Sequence, residues 1–265
     1  MILGFFHQFI ELACAKSAFE YLKGVTVMKI KFIGASHGVP EPNRKCSCTM
    51  IEISGRYYFI DMGTPPIDYL VTAGIPVDAV KGVFITHMHG DHTNGLVSFV
   101  DLISWYFKTA DPTIYLPNIE GAKVIANWIN VTQSSARELH YEEVKPGVIY
   151  DESFIKVTAI PTLHADRAYA FFLEAEGKSI LFTGDLRHPD QDFPAIAKER
   201  ETDLIICESA HFDAIGYLPH LKACKTKLVY VNHYQGKKIP SILQLAEELG
   251  DTPVKLAYDG SEIML

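Results

Sequence analysis

At 265 residues the chain can form one large domain or two small ones, and at 48% hydrophobic it can bury a sizeable core. No window holds the roughly eighteen uncharged apolar residues of a membrane span. A net charge of −8 with histidines neutral disfavours a grip on long polyanions, because nucleic-acid affinity depends on Lys and Arg neutralising phosphates.

Met1 to Ile10 is apolar, but no early positive residue precedes it and His7, Gln8 and Glu11 interrupt it, so a secretory signal is disfavoured. Phe5, Phe9, Leu12, Phe19 and Leu22 recur at helical spacing, and Gly24 can end the helix. Residues 1–27 are therefore expected to be an accessory helix, packed on the body or on a second subunit. A homodimer is one consequence.

Lys29 to Ile33 alternates like a strand with one exposed face. Gly34 to Pro42 is a Gly- and Pro-rich loop carrying His37, and Arg44 follows it. The cysteines are Cys14, Cys46, Cys48, Cys207 and Cys224. An odd number in a chain this large argues against a disulfide scaffold and for a reducing, cytoplasmic setting. Cys46-x-Cys48 is half of a metal clip at most, since no second pair follows. Thr49 to Ile53 and Tyr57 to Ile60 flank Ser54-Gly55-Arg56, a hairpin whose second strand ends at Asp61-Met62-Gly63. Pro66 to Ala73 reads as a short helix closed by Gly74.

The strand Lys81 to Thr86 then delivers Thr86-His87-Met88-His89-Gly90-Asp91-His92, and an amphipathic run, Leu96 to Phe107, follows. Three imidazoles and a carboxylate within six residues are the ligand types of borderline transition metals, too dense for chance core packing. Asn118 to Asn130 is a helix with Asn118 as cap. Arg137 to Val144, Val148 to Tyr150 and Phe154 to Ile160 are expected strands. From there the pattern repeats. Ile155 to Ile160 leads to His164. The hairpin Ala168 to Ala175 and Ser179 to Phe182 ends in Asp185. Leu204 to Cys207 ends in Glu208, and Leu228 to Val231 in Asn232-His233. Four apolar runs each place a metal-competent residue just past a strand end, which focuses distant sequence on one rim. A helix, Ile239 to Leu249, and a strand, Val254 to Tyr258, complete the chain. The element pattern alone implies an α/β or α+β single domain.

Over Met28 to Leu265 the chain resembles the metallo-β-lactamase-fold hydrolases, with His87-x-His89-x-Asp91-His92 as their signature. The resemblance implies a four-layer αββα sandwich, two sheets face to face with helices outside. It implies two divalent ions, zinc first and manganese or iron as alternatives. His87, His89 and His164 would hold the first and Asp91, His92 and His233 the second, with Asp185 bridging. Asp61 would support the metal loop by hydrogen bonds. Two such ions share a water and lower its pKa from about 15.7 toward 7, which supplies hydroxide at neutral pH; Asp91 would also orient it.

Asp203 to Phe212 resembles the phosphodiesterase branch that includes ribonuclease Z, where a strand-end Glu pairs with the histidine that protonates the leaving oxygen. Here these are Glu208 and His211. Ribonuclease Z carries a long tRNA-holding arm between its third and fourth motifs, but His164 and Asp185 enclose only one hairpin. The expected substrate is accordingly a small or cyclic phosphodiester, with no long nucleic acid and no membrane as partner. His37 and Arg44 are candidate substrate contacts, and Arg44, Arg167, Arg187 and His188 are candidate phosphate holders. A lactonase or thioesterase on the same centre is the alternative. A non-enzymatic metal-binding module, its pocket plugged by Trp105 or Tyr234, is less favoured.

Overall fold

The computed structural model describes residues 28–39, 41–132 and 134–265. The expected N-terminal helix lies outside them. Among the described residues fourteen strands follow in chain order: β1 Lys29–Gly34, β2 Cys48–Ile53, β3 Arg56–Ile60, β4 Val80–Phe84, β5 Thr113–Leu116, β6 Tyr141–Glu143, β7 Gly147–Glu152, β8 Ile155–Thr162, β9 Ala168–Ala175, β10 Lys178–Phe182, β11 Leu204–Ser209, β12 Val229–Tyr234, β13 Val254–Leu256 and β14 Glu262–Met264. They form two seven-stranded sheets, ordered β14-β1-β2-β3-β4-β5-β6 and β13-β12-β11-β10-β9-β8-β7. Each sheet is antiparallel on one side and parallel on the other, with the parallel pairs running β3 to β6 and β10 to β13.

The period-2 pleat explains why both faces of each sheet are apolar. Tyr58 faces the opposite sheet while Phe59 faces the helices; Phe171 and Leu173 point inward while Phe172 points out; Ile180 and Phe182 alternate with Leu181. Three separate hydrophobic layers result. One lies between the sheets, built on Phe32, Ile51, Phe84, Val157 and Ile206. A second packs Leu96, Phe99 and Ile103 of helix Gly90–Trp105 and Ile125 and Ile129 of helix Glu120–Val131 on the first sheet. The third packs Ile242 and Leu245 of helix Ile239–Leu249 on the second. Three cores between four layers make an αββα sandwich.

Several boundaries differ from expectation for identifiable reasons. The helix expected from Leu96 begins at Gly90, inside the histidine motif. The strand expected over Arg137 to Val144 shortens to Tyr141–Glu143, because Arg137 instead caps the carbonyls of Lys108 and Ala110. β5 and β14 carry too few residues for a period to register; β5 is set between Pro112 and Pro117, and β14 buries only Ile263. The hairpin turns at Ser54-Gly55 and Glu176-Gly177 place both central residues at positive φ, which matches the strand twist. Among the described residues no helix is long and apolar enough to cross a membrane. Cys46, Cys48, Cys207 and Cys224 are all free thiols.

Candidate metal centre

Parallel strands carry their C-terminal ends to one rim, and that is where the ligand types gather. β4 ends two residues before Thr86-His87, β10 ends before Asp185, β11 carries Glu208 and β12 carries His233. Helix Gly90–Trp105 puts Asp91 and His92 in its first turn, with its N-terminus directed at the same place. His164 enters from the loop between β8 and β9.

The donor atoms fall into two groups. His87 Nε2 and His164 Nε2 lie 2.9 and 3.2 Å from His89 Nδ1. His92 Nε2 and His233 Nε2 lie 3.5 and 3.7 Å from Asp91 Oδ2. Between them stands Asp185 Oδ2, at 3.7 Å from His87, 3.6 Å from His164, 3.6 Å from His92 and 3.4 Å from His233. Donors bound tetrahedrally at about 2.1 Å stand about 3.4 Å apart. The triads His87-His89-His164 and Asp91-His92-His233 both meet that spacing and fit a divalent cation each. His92 Nε2 is buried with no hydrogen-bond partner, the mark of a lone pair kept for a ligand. Cys46 and Cys48 join no such group among the described residues.

The electrostatics agree. Burial, reinforced by His92, drives the His87 pKa down to about 2, and burial drives His164 to about 4, so both rings are neutral as ligation requires. Asp185 is wholly buried, which opposes its charge, yet His233 and His92 outweigh that and hold it well below the carboxylate range. Burial likewise opposes charge on His92, but Asp61 and Asp185 prevail and raise it well above an ordinary histidine. The field that favours a proton there favours a cation in the same position.

Behind the second triad, the remote ring nitrogen of each histidine is held. Asp61 accepts from His92 Nδ1 (2.7 Å), from the Thr86 amide (2.8 Å) and from Thr86 Oγ1 (3.0 Å). The Ser36 carbonyl accepts from His233 Nδ1 at 3.1 Å. Such partners fix which nitrogen faces the ion. Asp61 and His233 both adopt positive φ, 59° and 47°, a strained conformation that functional sites tolerate when their surroundings impose it. Gly63 is required sterically: a Cβ there would stand 1.7 Å from the Asp91 carbonyl oxygen.

Glu208, 2% exposed, accepts from the amides of Leu186 (2.8 Å) and Ala210 (2.9 Å) and from His211 Nδ1 (2.9 Å). That hydrogen bond raises the His211 pKa. His211 Nδ1 lies 3.7 Å from Asp185, and the side chain is 39% exposed, so the ring stands at the mouth.

His37 is buried near the second triad. Its Nδ1 accepts from the Val39 amide (3.2 Å), and burial lowers its pKa. Arg44 is committed elsewhere: it pairs with Glu41 (2.6 Å), donates to the Ala35 carbonyl (3.0 Å) and stacks on Tyr234 (4.1 Å). This holds a loop rather than a substrate. Arg167 pairs with Glu143. Trp105 ends a helix that begins at the site, and Tyr234 is buried with its hydroxyl on the Ala257 carbonyl, so neither plugs the centre.

Asp192 escaped sequence reasoning. Its carboxylate accepts from the amides of Leu163 (2.7 Å), Arg187 (2.9 Å) and His188 (3.2 Å), tying the His164 loop to the residues after Asp185. Pro189 just ahead of it marked a helix start, the only available signal.

The sequence model of the family described as Anti-Pycsar protein Apyc1 matches residues 28–244. Ribonuclease Z from Listeria innocua is 28% identical over 159 residues, 57% of this chain and 50% of that protein. The chain thus spans about half the length of the curated relatives it matches. Human tRNase Z, short form, superposes with a TM-score of 0.70 at 19% identity, covering 89% of this chain and 98% of that one. The metallo-β-lactamase fold protein YhfI from Bacillus subtilis gives 0.72 at 17% identity, covering 91% and 100%. The fold is therefore the metallo-β-lactamase sandwich.

Proposed function

This chain belongs to the Anti-Pycsar protein Apyc1 family, and from that premise and the site we propose that it is a dinuclear metal-dependent hydrolase, a phosphodiesterase on a small or cyclic phosphodiester. The observation that carries this reading is the pair of donor triads sharing Asp185, with a Glu208-held histidine at the mouth. Zinc suits the imidazole-rich donor set, and the Asp185 carboxylate also suits manganese or iron. When bound, two such cations lower the pKa of water toward about 7 and polarise a phosphoryl oxygen.

The chain's own residues supply the rest. Asp61 and the Ser36 carbonyl keep protons on His92 Nδ1 and His233 Nδ1, leaving both Nε2 lone pairs directed inward. Asp91, accessible on one side, accepts a proton from the attacking water and orients it. His211, its pKa raised by the hydrogen bond from Nδ1 to Glu208, gives its Nε2 proton to the leaving oxygen, the step that alkoxide departure needs most.

Two features favour a small substrate. The β9–β10 hairpin turns in two residues, Glu176-Gly177, leaving no protruding arm between His164 and Asp185. The net charge of −8 disfavours a long polyanion. The free thiols support a reducing, cytoplasmic setting.

The test is turnover by zinc- or manganese-loaded protein of bis-p-nitrophenyl phosphate, a cyclic 3′,5′-phosphodiester and a precursor tRNA. Hydrolysis of the first two, absent from Asp185→Ala, is expected. Turnover of a lactone or thioester with no phosphodiester cleaved would overturn the reading.

A further inference from the structure

The second donor triad depends on a loop that contributes no ligand. Residues 35–47 join β1 to β2, and the Ser36 amide donates to the Lys45 carbonyl at 2.8 Å to close the loop's neck. On the inner side, the Ser36 carbonyl accepts His233 Nδ1–H at 3.1 Å. Gly38 lies so close to Asp91 that an added Cβ would stand 2.7 Å from Oδ2. One stretch of backbone thus orients one ligand of the triad and walls in another.

We propose that Asp259, beyond the last residue matched by the family model, is a positioning residue for that triad. Its Oδ1 accepts from the Ala35 amide at 3.0 Å and its Oδ2 from the Lys45 amide at 2.7 Å. The two amides flank the neck of the loop, and one of them precedes Ser36 directly. Both hydrogen bonds run from backbone amides to a carboxylate group, the stronger kind. Asp259 is itself fixed, because it lies on the crossing from β13 of one sheet to β14 of the other. The Gly260 amide donates to Phe32 (2.7 Å), the Phe32 amide to Ser261 (3.0 Å) and the Ala257 amide to Val231 (2.9 Å). The C-terminal crossing therefore sets where Ser36 presents its carbonyl, and so which way His233 points.

The inference rests on the two-ion reading, and zinc binding measured without turnover separates the two. Titrate metal-free wild type and Asp259→Asn against a chromophoric chelator, and record the melting of the metal-free proteins. In Asp259→Asn one oxygen still accepts an amide, but the NH2 group faces the other N–H. Wild type is expected to bind two zinc ions. Asp259→Asn should keep one at wild-type affinity and weaken the other about 10–100-fold, as loss of an outer-shell partner does, with the metal-free protein still melting in one transition, lowered only by the single amide left unpaired. Wild type with two ions and Asp259→Asn identical to it would overturn the role of Asp259. Wild type with fewer than two would overturn the two-ion reading and this inference with it. Should Asp259→Asn fail to fold, amide exchange in wild type decides: zinc should slow Ala35 and Lys45 at least about tenfold, and unchanged rates would overturn the proposal.

Discussion

Asp61→Asn should leave the protein folded yet cost it one metal ion. Thr86 contributes a backbone N–H that can only donate, so the asparagine oxygen must face it, where Asp61 now accepts at 2.8 Å. The NH2 group then faces His92 Nδ1, now 2.7 Å from Asp61. Nδ1 must accept rather than donate, which moves the ring's proton to Nε2, the atom turned toward Asp91 and Asp185. The tautomer that ligates is lost while the hydrogen-bond count is nearly kept. Asparagine also tolerates the positive φ of 59° found here. Stability should change by about 1 kcal/mol or less, against about 1–3 kcal/mol for each donor that Asp61→Ala would orphan. Affinity for the ion at His92 should fall about 10–100-fold. Chelator competition gives the affinity, and 15N-histidine spectra give the tautomer. Asp61→Asn with two ions at wild-type affinity and His92 still protonated on Nδ1 would refute the reasoning.

His211→Ala should lower kcat about 10²–10⁴-fold on substrates with alkoxide leaving groups but far less on p-nitrophenyl esters, whose leaving group departs without a proton; equal losses on both would argue against proton donation. Burial opposes charge on Asp203, but it accepts from Lys227 and the Ser179 amide, each at 2.9 Å, and these bonds prevail and hold its carboxyl below the ordinary carboxylate range. A depressed carboxyl stabilises the fold above its unfolded pKa, and the contribution disappears as pH falls through the folded value. Asp203→Asn should therefore cost about 1–2 kcal/mol at pH 7 and much less near pH 3, read by urea melts at the two pH values. A cost unchanged between them would contradict the assignment.

The side chains that converge on the rim were legible because metal chemistry restricts residue types and the scaffold spaces them in order. His164, Asp185 and His233 each belong to or follow an apolar strand that ends at the rim, β8 antiparallel to its neighbours and β10 and β12 paired in parallel with β11. The helix end at Gly74 was equally readable, since that glycine takes a positive φ that other residues resist. What escaped was long-range support. Asp192 and Asp259 hold backbone amides from segments far away in sequence, and an aspartate near a turn has no local pattern to distinguish it from solvated ones. Ser36 acts through its carbonyl, which any residue type could supply. Arg44 read as a phosphate holder by charge alone, and its pairing with Glu41, its bond to the Ala35 carbonyl and its stacking on Tyr234 show it spent on the loop.

The most direct test is anomalous diffraction at the zinc edge from crystals grown with zinc. Two peaks are predicted, one among His87, His89 and His164 and one among Asp91, His92 and His233, with Asp185 touching both. Zinc-soaked crystals with no peak among these side chains would contradict the account at its root.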